Sequence, residues 1–408
     1  MKSLNQLIHR ATKSAAVALL VAGSGLGIAA CSSSTTGGTN PPGASPQVNE
    51  FQLRNGMRQL WEEHVVWTRV FLIDAVAGLA DTSAATARLL KNQVDIGDAI
   101  KPFYGDAAGA KLASLLHDHI TIAAEVVTAA KAGDAAALAD AKTRWYANAD
   151  QIAAFLASAN PNWPEADLKT MMKEHLDQTL AEAVARLTGD YAGEIAAYGH
   201  VRQHILDMAD ALTAGVVAQF PTEVAPSPLT EKEEGLYLAM RVLWEDHVSW
   251  TRFFLIDDIA SLPSTSDTTN RLLQNQVDIG NAIKPFYGEA AGNKLASLLH
   301  DHIAIAAELV ADAKSRDSAA LAAAKLRWYA NADQISQFLA AANPNWPLAD
   351  LEMMMHQHLD RTLAEATARL SQDWTGDIAD YDDIEGDILK MADALSAGVA
   401  AQFPTEVQ

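Results

Sequence analysis

Twelve histidines are spread along this chain, and four pairs of them recur at a constant spacing of 183 residues: His64 with His247, His117 with His300, His119 with His302, and His175 with His358. Neutral imidazole is a good ligand for Zn, Cu or Fe, and imidazole near its own pKa can carry a proton. Either chemistry requires several rings to reach one place. Trp61, His64, Thr68, Phe71 and Leu72 are spaced by three and four, so His64 belongs to an inward-facing helical stripe. Leu112, Leu115, Leu116, His119, Ala123 and Val126 place His119 inward in the same way, and Met171, Met172, His175, Leu176 and Thr179 do so for His175. His117 is rotated by about 200° from His119 on a helix, so the string His117-Asp118-His119 is not itself a chelate. Two amides share these stripes: Gln93 with Leu89, Ile96 and Ile100, and Asn148 with Trp145 and Ile152. Gln276 and Asn331 are their counterparts in the second copy.

These residues lie near the middle of their helices, and antiparallel helices of similar length bring their middles to one level. Two chemistries fit such a layer. In one, His64, His119 and His175 hold a transition metal and His247, His302 and His358 hold another, with an amide, carboxylate or water completing the set. His204, equivalent to Asp387 and at similar depth, is a further candidate ligand. Binding would need neutral rings and would weaken below a pH of about 6.5. In the other, imidazole, Thr hydroxyl, Gln amide and Trp N–H satisfy one another and fix the register of the bundle without metal. A carboxylate-bridged dimetal centre needs paired Glu-x-x-His helices, which a repeat does not supply. Arg88, Asn92 and Asp95, on the more polar face of their helix, read as a surface network.

The elements that must position these groups follow from periodicity. Leu60-Trp61-Glu62-Glu63-His64-Val65-Val66-Trp67-Thr68-Arg69 recurs as Leu243-Trp244-Glu245-Asp246-His247-Val248-Ser249-Trp250-Thr251-Arg252, and no insertion or deletion interrupts the shift. Each repeat is of whole-domain size rather than a solenoid unit. Helical spacing predicts six helices in the first copy, at about 52–80, 84–101, 106–132, 134–158, 164–188 and 191–218, and no sheet. The fold expected is all-α, two tandem up-and-down bundles. Their boundaries fall at 51–224 and 233–408, with 225–232 as a linker stiffened by Pro226 and Pro228, and the first repeat is expected to fold alone. Lys101-Pro102-Phe103-Tyr104-Gly105 and Asn160-Pro161-Asn162-Trp163-Pro164 recur in the second copy and read as helix stops whose aromatics plug a bundle end.

Residues 1–30 carry Lys2, Arg10 and Lys13, no acid, and an apolar stretch closing in Ile28-Ala29-Ala30-Cys31. This is a signal-peptide layout, and its end resembles a bacterial lipobox, which implies that Cys31, the only cysteine, is lipidated. Residues 31–50, rich in Ser, Thr, Gly and Pro, read as a tether. The expected location is the cell envelope, at the outer membrane or cell surface. One cysteine excludes a disulfide scaffold and thiolate zinc clusters. The formal charge of −21, with Lys plus Arg 30 against Asp plus Glu 51, argues against nucleic acid as a partner. The partners expected are the membrane, through the lipid, and a small molecule or envelope protein.

The pattern Leu-Trp-Glu-x-His-x-x-Trp-Thr-Arg, followed by residues 92–105, by Arg144-Trp145-Tyr146-Ala147-Asn148-Ala149-Asp150 and by Ala218-Gln219-Phe220-Pro221, resembles a family of bacterial all-helical proteins labelled glycosyltransferases or acetylglutamate kinases. The resemblance covers nearly all of both repeats and implies an enzyme. The motifs of those activities are missing: there is no glycine-rich phosphate cradle, and Asp380-Tyr381-Asp382 lies in helical context, opposite Ala197-Tyr198-Gly199. The sequence therefore favours a binding or envelope-associated module, with an enzyme or a purely structural surface lipoprotein as alternatives.

Overall fold

The computed structural model describes residues 48–407; the expected signal peptide, Cys31 and most of the expected tether lie outside the described residues. Two-residue strands β1 (Val48–Asn49) and β2 (Val224–Ala225) flank the first repeat and pair in parallel, Val48 opposite Val224. Everything else regular among the described residues is helix. The first repeat contains α1 (Glu50–Ala77), α2 (Thr82–Ala132), α3 (Ala135–Ala159), α4 (Glu165–Thr188) and α5 (Tyr191–Gln219). The second contains α6 (Glu231–Ile259), α7 (Thr265–Ser315), α8 (Ser318–Ala342), α9 (Leu348–Leu370) and α10 (Trp374–Gln402), and a short α11 (Pro404–Val407) follows. The architecture is all-α, as its periodicity predicts.

Local chemistry sets the ends. Asn49 caps α1 by accepting from the Gln52 N–H at 2.9 Å while Gln52 returns the bond to the Asn49 N–H, and Gly78 closes the helix with φ 73°. Asp134 and Asp190 cap α3 and α5. The long α2 is two helices: at Gly105 the backbone turns to φ 80°, ψ 166°, a region open to glycine. A Cβ placed on Gly97 would lie 2.6 Å from the Gly109 carbonyl, whereas twelve residues of straight helix span about 18 Å. The arms 82–104 and 106–132 are therefore an antiparallel hairpin crossing at two glycines, which restores the six helices expected per repeat. Gly288, with Gly280 against Gly292, repeats the device in α7.

The aromatic segments close the bundle end. Tyr104 stacks against Trp163 (5.8 Å) and Phe220 (5.2 Å), its hydroxyl donates to Gln219 Oε1 at 3.0 Å and accepts from Asn160 Nδ2 at 2.9 Å. Gly215 admits the Trp163 indole, which any side chain there would strike. The plug reading of these loops accounts for their identity in both copies.

The repeats pack along a seam that the sequence did not announce. Trp250, Phe253, Leu255, Ile256 and Tyr381 of the second copy belong to the same hydrophobic cluster as the core of the first. Contacts are exchanged reciprocally: Arg69 lies over Trp250 (5.0 Å) and Arg252 over Trp67 (4.6 Å), while Trp67 meets Tyr381 edge-on and Trp250 meets Tyr198 edge-on, both at 5.7 Å. Residue i touches j of the other copy and j touches i, the pattern of a two-fold interface within one chain. A second apolar cluster is built from second-copy residues alone, while Trp250, Phe253 and their neighbours pack into the first. Arg88 and Asn92 are corrected too: they are buried at the seam rather than forming a surface network, and only the Lys91–Asp95 pair beside them is a surface feature.

Candidate metal centre

The three inward histidines of each copy meet. His64 (α1), His119 (second arm of α2) and His175 (α4) have ring centroids 6.4, 5.6 and 6.2 Å apart, and all three are buried. His247 (α6), His302 (second arm of α7) and His358 (α9) reproduce this at 6.3, 5.5 and 6.2 Å. In the second copy, one ring nitrogen from each histidine lies within 4.8 Å of the other two, a spacing that one ion can bridge. His117 and His300 point to solvent, each beside its neighbouring Asp118 or Asp301.

The amides play unequal parts. Asn148 Nδ2 donates to the Leu115 carbonyl at 3.0 Å, so its Oδ1 is left to accept, and His119 Nδ1 lies 3.0 Å from it. That assigns the proton to Nδ1 and leaves the His119 Nε2 lone pair free, the arrangement by which metal-ligating histidines are usually oriented. Asn331 does the same for His302 at 2.9 Å and donates to the Leu298 carbonyl at 3.0 Å. Gln93 Nε2 donates to the Leu89 carbonyl and to Asn92 Oδ1, and its buried Oε1, on the side of His64, makes no hydrogen bond of ordinary geometry. Gln276 repeats this beside His247.

The network alternative predicts that hydroxyls, amides and indoles satisfy the rings; Asn148 and Asn331 do so for His119 and His302, but the hydroxyls and indoles bond elsewhere. Thr68 and Thr179 donate to the carbonyls of His64 and His175, one turn back on their own helices. Trp328 Nε1 donates to the His302 carbonyl, and Trp61 and Trp145 Nε1 are unpartnered. His64 Nδ1, His175 Nδ1 and His247 Nδ1 are buried without any hydrogen bond. Each such group costs about 1–3 kcal/mol if left unmet.

Electrostatics keep the rings neutral. Burial, and then the neighbouring His119, lowers His64 to about 3, and burial lowers His119 to about 4 despite Asn148. His247 and His302 follow at about 3 and 4 for the same reasons, and burial and the neighbouring rings hold His175 and His358 well below the usual imidazole value. Burial thus favours the neutral form of these rings, the form that a metal would need.

His204 does not join the layer. It stacks on His175 (6.4 Å, 14° between planes), but its Nε2 is spent on the Met171 carbonyl at 2.9 Å and its Nδ1 turns towards Glu174. Asp387, at the same position in the second copy, pairs with Arg361 and Lys390.

Sequence reasoning missed a second polar region, at the seam. Arg69 (0% exposed) pairs with Glu182 and Glu194, and Arg252 with Glu365 and Asp377. Arg186 reaches across to Asp257, and Arg369 across to Asp81 at 2.6 Å. Arg202 joins Glu62 in a short contact and Asp246 of the other copy at 2.9 Å. Its counterpart is Glu385, which burial and the neighbouring Glu245 keep protonated well above the usual carboxylate range; burial and Glu62 do the same to Glu245. A signal for this region existed. Val66, Val70 and Ile73 form a second apolar stripe roughly opposite His64, and a helix apolar on all sides is buried on all sides.

No family model matches the chain, and no curated protein and no solved structure proved similar to it.

Proposed function

We propose that this protein is an envelope-anchored metal-binding module with two centres, His64, His119 and His175 in the first copy and His247, His302 and His358 in the second. The observation that carries this reading is the cluster of buried imidazoles in each copy, with His64, His175 and His247 Nδ1 unpartnered and with His119 and His302 oriented by Asn148 and Asn331 to present a lone pair. Three imidazoles suit Zn, Cu or Fe, and three protein ligands leave a position for a further donor such as Gln93 or Gln276, or for a small molecule. The anchor is Cys31, on the strength of the basic residues, the apolar stretch and Ile28-Ala29-Ala30-Cys31 at the N-terminus. Titration of the full chain with zinc should show two tight sites, and His302→Ala should remove one and leave the other. Cys31→Ser should release soluble protein or leave an unprocessed precursor; unchanged membrane partition with no acyl mass would count against the anchor.

A further inference from the structure

Above the histidine layer of the first copy lies an apolar cavity. Thr68, Ala123 and Thr179 line it, each four residues after His64, His119 or His175, and these three helical segments run in the same direction. Leu89 and Trp145 line it from the opposed segments, four and three residues before Gln93 and Asn148. These five residues each stand about one helical turn, roughly 5 Å, above a residue of the layer, while Phe71, Leu72, Val126, Val127 and Ala183 close the cavity further along the same helices, so the layer lies beneath one side of it. Trp145 is common to both, its ring 5.3 Å from that of His119.

The chemistry of the walls is narrow. No charged residue lines the cavity, and the two hydroxyls that do, Thr68 and Thr179, donate their protons to backbone carbonyls and offer a guest no donor. Thr68, Ala123 and Leu180 are the partly exposed members of the lining, and the last two mark a mouth between the second arm of α2 and α4. The free space admits roughly two or three heavy atoms, too few for a metabolite and enough for a diatomic molecule.

We propose that this cavity is a binding site for a small, neutral, apolar molecule of the size of dioxygen, delivered through the mouth at Ala123 and Leu180 to the face of the His64–His119–His175 layer. The proposal deepens the metal reading and rests on it for what the guest meets, but occupancy of the cavity does not require metal. The lining also separates the copies. Val126 is replaced by Leu309, one methylene larger, which takes up space at the equivalent place in the second copy.

Xenon is the probe, since it enters dry apolar cavities and ignores polar ones. The full chain, without metal and then loaded with zinc, is titrated with xenon while the Trp145 indole and His119 imidazole resonances are followed by NMR. Saturable shifts at both residues are expected, with and without zinc. Val126→Leu, which imports the second copy's own residue and so preserves the fold, should reduce the shifts at least fivefold while leaving zinc stoichiometry unchanged. Absence of shifts in the wild type, or equal shifts in Val126→Leu, overturns the cavity site. Failure to bind zinc overturns the metal reading alone, because the xenon response is read on the apoprotein.

Discussion

In the histidine layers the two copies differ by no more than 0.1 Å in any ring spacing, 6.4, 5.6 and 6.2 Å against 6.3, 5.5 and 6.2 Å. At the seam the same two copies keep their stacking, Arg69 on Trp250 and Arg252 on Trp67, yet exchange charge freely: Arg202 is matched by Glu385 and Asp382 by Gly199. A seam can tolerate this because its charges form a redundant net; Arg88, for example, bridges Glu63 (2.8 Å) and Asp382 (2.9 Å) across the copies. The layer has no such redundancy. Each ring occupies a place that no other group fills, and the unmet Nδ1 atoms of His64, His175 and His247 are a standing cost unless something binds them.

The sharpest way to break the comparison is to remove one seam arginine. Arg69→Met strands Glu182 and Glu194 in a dry interior and should cost about 3–5 kcal/mol in urea unfolding, more than any single change in the layer. A loss below 1 kcal/mol would mean that the seam is not what holds the copies together. Separating the copies is the next test. Residues 48–224 alone expose a self-complementary face in which Arg202 can meet Glu63 of a second molecule, so this fragment should dimerise in sedimentation. Residues 226–408 carry Glu385 in that place and should remain monomeric at neutral pH. A monomeric first fragment with a well-ordered near-UV spectrum would instead support the independent folding that periodicity suggests.

Smaller effects separate the two regions further. His119→Ala deletes a ring and strands Asn148 Oδ1, and should cost about 1–3 kcal/mol in the metal-free protein. The pH profile should have two flanks with different owners. His64 and His247, depressed from 6.5 to about 3, contribute stability that is complete above pH 6.5 and lost as pH falls towards 3. Glu182 and Glu365, raised by burial from 4.5 to about 8, contribute stability that is complete below pH 4.5 and lost as pH rises towards 8. The two trends oppose each other between 4.5 and 6.5, so maximum stability belongs there, with histidines governing the acid flank and carboxyls the alkaline one. Glu385→Gln should flatten the alkaline flank and leave the acid flank unchanged, as chemical denaturation across pH would show.

Much of the layer was legible in the sequence because it depends on one-dimensional spacing. His64, His119 and His175 each sit in a stripe of period 3.6, and the mid-helix depth of each fixes the level at which they meet. The hairpin in α2 was legible from Pro102 and Gly105, although the Gly97–Gly109 crossing that tightens it was not, since a glycine on a helix shows its purpose only when another backbone lies against it. The seam was illegible for a different reason. Arg88 and Asn92 look like surface residues on their own helix, but Arg88 is paired across the seam with Asp382 and Asn92 is satisfied by the Leu60 carbonyl and Gln93 of its own copy. His204 shows the limit of depth as a guide: it lies at the right level, but its rotamer is settled by the Met171 carbonyl.

The central claim, that the paired layers are metal centres, is tested most directly by elemental analysis of the full chain purified from its native source without chelators, alongside His302→Ala. Two equivalents of one transition metal per chain, falling to one in the variant while its fold is retained, are the expected result. Wild-type protein with no stoichiometric metal that also fails to take up zinc, copper or iron on titration would contradict the claim.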